Sequence, residues 1–539
     1  MNETERIVAI RTNEISDKER EDLVQVVTRN KRGAELRETQ VDSLVRIKRA
    51  RGGLIAAGVG HGKFLISALA PVVLESSRAL LLVPAGLLEQ TKMELDKWRG
   101  AFRIPCEPYL RVLSYSQLST VSGRFALRDY QPDLIIADEC HKIRRLESAR
   151  TKRVIDYYQK NPSTRFVGLS GTMTARSLKD FNHLAELALR ELSPLPRTWR
   201  SMRAWTRLID VRSDERPTPA DHREIAPLLN WAKDTRPREA FRARFVSSPG
   251  VLATTSSAFE GSLEVYAERY KTPDSIRMAL ETLETRWRTP DGQDLASALD
   301  VARVRRQLSA GYWLRWEWPD GIIDFEWLDA RREWMSAVRR YLKSNRSGVD
   351  SILLAERAEN KPGYLESAFV AWTAVKDRPA PPVVAEIVDR KPLETALEVA
   401  SKLDRPSLIW SESPRTLSFY QEERSVKSYA PGDVLTLEDR GKQTIALSRR
   451  SHGTGLNLDD WSSNILVGIP ASATTFEQVI GRSHRPGQRE DSVEVRIVIP
   501  DCISPARALA QLRRDAAYLE SVSGQSTKVL SARWIAFDS

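Results

Sequence analysis

The 539 residues exceed what one hydrophobic core holds, and chains of this length divide into about three or four units. The formal net charge of +11 favours a polyanionic partner such as nucleic acid. Three scattered cysteines, Cys106, Cys140 and Cys502, exclude a disulfide framework and a cysteine-based zinc site and point to a reducing compartment.

The amino-terminal residues 1–31 are polar and mixed in charge, without the apolar core of a signal peptide. The longest apolar run, residues 79–88, is broken by Pro84 and falls short of the ~18 residues of a membrane span, so a cytoplasmic protein is expected. Five short runs rich in Ile, Leu and Val then end abruptly in polar or glycine-rich clusters, the pattern of buried parallel strands. Residues 54–57 precede Gly58-Val59-Gly60-His61-Gly62-Lys63, residues 79–83 precede Pro84, and residues 111–113 precede Ser114. Residues 134–137 precede Asp138-Glu139-Cys140-His141, and residues 166–169 precede Ser170-Gly171-Thr172. Ligands of open α/β sheets bind beyond the carboxyl ends of the strands, so these clusters should converge on one crevice.

Over residues 191–379 the pattern changes to long charged helical stretches that hold ten of the 14 tryptophans, enough for a helical insertion with its own core. Strand-like runs return at 407–410, 444–447, 464–467 and 493–499. A closing helix is expected over 504–521, with Pro505 at its start and Gly524 after its end. The fold class is therefore α/β, with parallel-sheet domains over 1–190 and 380–500, a helical Trp-rich insertion over 191–379, and a C-terminal helix and tail over 501–539.

The glycine-rich run before Lys63 sits between a strand and a helical run, where backbone N–H groups cradle phosphates and a lysine reaches the terminal ones. Gly58, Gly60, His61, Gly62, Lys63 and Phe64 are accordingly candidate nucleotide-binding residues; the alternative is a glycine turn that binds none. Phe64 stands where the phosphate-loop pattern has a magnesium-binding Ser or Thr, and Ser67 supplies that hydroxyl only if the helix starts differently. Asp138 and Glu139 end an apolar strand, placing one carboxylate for Mg²⁺ and one to orient or deprotonate water; the alternative is a cap or solvated loop. His141 is a candidate coupling residue or else a satisfied loop histidine, and Ser170-Gly171-Thr172-Met173-Thr174 suits a hinge.

In His452-Gly453-Thr454-Gly455-Leu456-Asn457-Leu458 the glycines allow close backbone approach and Thr454 offers a hydroxyl to a nucleic-acid phosphate, against an ordinary strand-to-helix turn. Gln478-Val479-Ile480-Gly481-Arg482-Ser483-His484-Arg485-Pro486-Gly487-Gln488 sets two arginines three residues apart, suited to charge developing on a transferring phosphoryl group. The alternative is a solvated basic turn. Arg197, Arg200, Arg203 and Arg207 recur at helical spacing as candidate nucleic-acid contacts or a solvated face. Trp327, Trp334, Val338 and Tyr341 share a helix face, for which core packing is favoured over base stacking.

In this order and spacing the segments resemble helicase superfamily two, and more narrowly the Swi/Snf-like DNA translocases. The resemblance rests on Leu36-Arg37-Glu38-Thr39-Gln40, the run ending at Lys63, Asp138 to His141, Ser170 to Thr172, Gly453 to Leu458, and Gln478 to Gln488, whose ending His-Arg-Pro-Gly-Gln is the most discriminating piece. It covers somewhat over half the chain, and the compact form is most similar to versions encoded by bacteriophages and bacteria, which implies the host cytoplasm. The resemblance implies two RecA-like domains using ATP and Mg²⁺ on double-stranded DNA, with a monomer as the default. Arg37 and Gln40 would read the adenine edge, Lys63 the β and γ phosphates, Asp138 the magnesium and Glu139 the water. Arg482 and Arg485 would act across the cleft, with Gly455, Asn457 and Gln478 on the nucleotide side and Pro84, Ser114 and Thr454 toward nucleic acid. Thr39 departs from the aromatic usual there, and Phe64 from the metal-binding hydroxyl. The competing expectations are a DNA-binding scaffold that hydrolyses little ATP and, less favoured, an RNA helicase.

Overall fold

The computed structural model of the chain describes residues 2–12, 14–29, 35–58, 60–171, 177–210, 215–254, 259, 261–295, 297–344, 349–424, 426–433, 435–453 and 456–537. The five uninterrupted apolar runs of the first third form β1 (Gly53–Ala56), β2 (Ala79–Val83), β3 (Leu110–Ser114), β4 (Leu134–Asp138) and β5 (Arg165–Ser170). Apart from the edge strand β3 they are almost wholly buried, because helices cover both faces of the sheet. With β6 (Val251–Ala253) they make a six-stranded sheet of order β3-β2-β4-β5-β1-β6 in which every pairing is parallel.

The second sheet opens at β7 (Ser262–Tyr270). A short antiparallel ribbon of β8 (Tyr312–Trp316) and β9 (Val383–Ile387) lies outside both sheets. The remaining strands are β10 (Ser407–Ser411), β11 (Ser428–Tyr429), β12 (Ile445–Ser448), β13 (Ser463–Val467), β14 (Ser492–Pro500) and β15 (Arg533–Ile535). The order β11-β12-β10-β13-β14-β7-β15 is again parallel throughout.

The structure divides the stretch 191–379, expected as one helical insertion, into three parts. Helices Trp199–Ile209, Pro219–Ala232 and Pro237–Val246 pack Trp205, Ile225, Phe241 and Phe245 into the core of the first sheet, and β6 extends that sheet. β7 pairs with β14 from Ser262 to Tyr270, and helices Asp274–Arg286 and Ala298–Ser309 cover the second sheet. The β8–β9 ribbon seats Tyr312 and Trp313 in the core of the second sheet, and only helices Phe325–Ser344, Ile352–Glu356 and Gly363–Val375 stand apart, with Trp334, Val338 and Tyr341 in one small core and Trp327 in another. These aromatics pack inward as their spacing predicts. β7 escapes a sequence reading because its residues alternate in burial, and β6 because three residues carry no period.

The closing helix spans Ala506–Ser523 and ends at Gly524 in the left-handed region. Its Leu509, Leu512 and Ala516 enter the core of the second sheet, while Tyr518 and Val522 enter that of the first. Among the described residues no helix is long and apolar enough to cross a membrane.

Candidate functional site

Because all strands of the first sheet are parallel, the segments after β1, β4 and β5 emerge on one edge, and the structure brings them together there. Gly62, at φ +71, starts helix Lys63–Val73, and a Cβ at this position would come within 2.2 Å of Gln40 Nε2. Gln40, only 3% exposed, accepts the Arg37 backbone N–H at 2.8 Å and donates to the Gly62 carbonyl at 3.0 Å. Its amide thus ties the start of helix Glu38–Ala50 to the glycine loop, and the Arg37 guanidinium donates to the Gly60 carbonyl. The Lys63 ammonium donates to the carbonyls of Ala57 at 3.0 Å and Gly58 at 3.3 Å, and lies 4.0 Å from Glu139 Oε1.

Glu139 follows β4 with φ +55, and this left-handed turn swings its carboxylate toward the loop. His141 Nδ1 lies 3.2 Å from Glu139 Oε2 and 3.0 Å from Ser170 Oγ, and Ser170 also donates to Glu139 at 3.4 Å. The Glu139 backbone N–H donates to Asp138 Oδ1 at 3.1 Å, and the Tyr115 hydroxyl donates to the Asp138 carbonyl at 2.7 Å. Burial, then the Glu139 charge, pushes Asp138 well above the carboxylate range. Burial raises Glu139 too, but Lys63 and the bond to His141 outweigh it and hold Glu139 well below.

The second sheet supplies the opposite wall. Helix Ala473–Ile480 carries Gln478, and the turn after it carries Arg482 and Arg485. Arg482, 5% exposed, donates from Nε to the Gln478 carbonyl at 2.9 Å, and both arginines reach the Leu456 carbonyl, at 3.4 and 3.5 Å. Asn464 on β13 donates to Ser483 at 2.8 Å and accepts from Trp410 at 3.0 Å, a buried chain that fixes the turn. Gly487, at φ +105, is required because a Cβ would fall 2.1 Å from Asp459 Oδ2. Gln478 Nε2 meets His141 Nε2 at 3.5 Å across the two sheets. Burial, then the neighbouring Arg485, lowers Arg482 to about 10, while the charges of Glu139 and Asp138 oppose the shift. Burial lowers Arg485 as well, with Arg37 adding to the shift. Both guanidiniums remain charged at neutral pH.

Phe64 packs against the apolar core under the helix, and the Ser67 hydroxyl donates to the Lys63 carbonyl at 3.2 Å, so neither side chain offers a hydroxyl to the loop. Among the described residues no cluster of three or more His, Cys, Asp or Glu forms a cage for a metal. Asp138 fits a Mg²⁺ that takes its other ligands from phosphates and water. Asn457 has a buried Oδ1 with no hydrogen-bond partner among the described residues. Thr172, Met173, Thr174, Thr454 and Gly455 lie outside the described residues.

The remaining candidates are engaged elsewhere. Ser114 caps helix Tyr115–Ser119, accepting from the Gln117 backbone N–H at 3.1 Å, and Pro84 is buried at the end of β2. Arg197 bonds Glu191, while Arg203 and Arg207 both bond Glu215 and Arg207 also bonds Asp221; Arg200 is exposed. Arg197 precedes the helix, so the stripe is shorter than its spacing predicts, and most of its charge is matched by carboxylates.

Sequence reading missed three contributors. Thr254, after the short β6, accepts the Gly58 N–H at 3.0 Å, and Gln525 Nε2 lies 3.6 Å from where a Cβ on Gly58 would sit. Lys528 Nζ is 3.0 Å from His484 Nδ1. No spacing rule marks them; the only signal is that each follows the end of a short strand or a helix. Neither protein-family models nor curated proteins give a match to this chain.

Proposed function

We propose that the chain is an ATP-driven DNA translocase in which two RecA-like domains close on the nucleotide while tracking duplex DNA. The observation that carries this reading is the meeting of Lys63, Asp138, Glu139 and His141 from one parallel sheet with Gln478, Arg482 and Arg485 from the other, linked by the 3.5 Å contact of His141 and Gln478. Lys63 would leave its two carbonyl partners for the terminal phosphates, and Glu139 would orient the attacking water or take its proton. Bound magnesium would neutralise developing phosphate charge, held by Asp138. Arg482, desolvated and facing both carboxylates, would stabilise charge on the transferring phosphoryl group only while the sheets are closed. The net charge of +11 and the order of the motifs support a DNA partner.

Steady-state ATP hydrolysis with and without duplex DNA tests this. Lys63→Ala should abolish turnover, and Arg482→Ala should lower kcat by about a thousandfold. Duplex DNA that neither binds nor accelerates hydrolysis sinks the translocase reading. A second reading is favoured by the inward packing of Phe64 and the engaged Ser67: a nucleotide-binding, DNA-binding scaffold with little hydrolysis. Turnover that appears only in Phe64→Thr selects it.

A further inference from the structure

Gln525 lies outside every motif, yet it is 3% exposed, and its buried Oε1 has no hydrogen-bond partner among the described residues. Leaving a buried amide oxygen unmatched costs on the order of 1–3 kcal/mol, so such an atom calls for an explanation. The Nε2 end of the side chain sits against the phosphate-loop segment, 3.6 Å from where a Cβ on Gly58 would lie, a point that the His61 ring also approaches, at 3.4 Å. That same Gly58 offers its carbonyl to the Lys63 ammonium.

The short segment 524–529 touches both walls of the cleft. Gly524 packs so closely on the first unit that a Cβ would fall 2.8 Å from Val246 Cγ1. Thr527 is anchored by two bonds to Glu520, at 2.7 and 3.0 Å. Lys528 reaches His484 in the arginine-bearing turn, and the Val529 N–H donates to Glu477, next to Gln478, at 2.9 Å. Gln525 is thus carried by a turn whose far end is fixed to the arginine-bearing wall, and its seat beside Gly58 depends on the two sheets being together.

We propose that Gln525, its amide nitrogen against the phosphate loop, is a catalytic residue whose carboxamide oxygen is reserved for a hydrogen-bond donor that arrives with a bound nucleoside triphosphate, the reacting water on the terminal phosphate. This rests on the nucleotide reading of the same site. An acceptor that meets only the reacting water acts on kcat and not on ground-state binding.

The test compares the unmodified chain with Lys63→Ala, Gln525→Met, which keeps the length and removes the acceptor, and Gln525→Glu, which keeps the acceptor. Binding of a fluorescent ATP analogue, ATP turnover and melting temperature are measured, each also in a Phe64→Thr background. Gln525→Met should lose about tenfold in kcat with KM for ATP little changed, whereas Gln525→Glu should retain kcat and raise KM by repelling the phosphates. Three results overturn the inference: kcat of Gln525→Met within about twofold of the unmodified chain; equal losses in both variants with a lowered melting temperature; or binding without turnover in either background. If the unmodified chain binds no analogue, the nucleotide reading itself falls; if it binds in a Lys63-dependent way and Gln525→Met behaves normally, only the role of Gln525 falls.

Discussion

Lys63, Asp138 and Glu139 stood out in the sequence because their settings are local: Lys63 follows the glycine loop after β1, and Asp138 and Glu139 stand at the end of β4, strands whose burial the sequence states outright. What sequence withheld was the company each residue keeps, as Glu477 and His484 illustrate. Burial pushes Glu477 from 4.5 up to about 7, with Lys528 opposing, while burial and Lys528 together push His484 from 6.5 down to about 4. Between about pH 4.5 and 7 the folded chain holds a proton on Glu477 that the unfolded chain lacks, so this group's contribution to stability falls as pH rises. Between about pH 4 and 6.5 the unfolded chain holds a proton on His484 that the folded chain lacks, so that contribution rises with pH. Each slope reaches up to about 1.4 kcal/mol per pH unit, and the two oppose one another. Glu477→Gln should therefore steepen the gain in melting temperature from pH 4 to 6.5, and His484→Gln should reverse it relative to the unmodified chain. Superimposable pH profiles for the two variants would refute both assignments.

Among elements, nine strands of the two sheets read directly from apolar runs, whereas the short β6 and β11 did not, nor did β7 and β15. The last two lie in polar-interrupted sequence and owe their places to partners far along the chain, β7 being held between β14 and β15. The same dependence governs the glycine loop before Lys63, whose shape requires Gly62 at positive φ with Gln40 packed over it. Gly62→Ala forces a side chain into that contact and into the left-handed region, at a cost of about 1–2 kcal/mol from the backbone alone. We expect a lowered melting temperature together with loss of ATP-analogue binding. A variant that binds as tightly as the unmodified chain would show that the loop tolerates another shape.

For the whole molecule, two long-range links join what the chain separates. Helix Ala506–Ser523 gives one end to each core, and the Tyr518 hydroxyl donates to Asp210 at 2.8 Å. The tryptophan-rich helices are tied to the first unit through Arg153 and Asp350, 2.8 Å apart with side chains 7% and 5% exposed. Arg153 also donates to the carbonyls of Leu118 and Thr120, both at 2.6 Å, and Lys152 to that of Val349 at 3.0 Å. Asp350→Ala strands a buried guanidinium and should cost about 3 kcal/mol in urea unfolding, while the double change Arg153→Met with Asp350→Leu should recover much of it. Additive losses in that cycle would mean that the pair does not act as a unit.

The sequence by itself determined the α/β class, nine of the strands in the two sheets, the closing helix and several of the segments that meet at the candidate site, because burial period, glycine placement and charge act over a few residues. Only the tertiary structure decided that residues 191–379 are shared among three bodies, that Gln40 braces the glycine loop, that the arginine stripe is matched by carboxylates, and that Gln525 reaches Gly58. Most of those outcomes depend on contacts between residues tens to hundreds of positions apart, and even the carboxylates of the arginine stripe lie 6 to 14 positions away. Local pattern carries no information about which distant partner satisfies a buried polar group or completes a sheet edge.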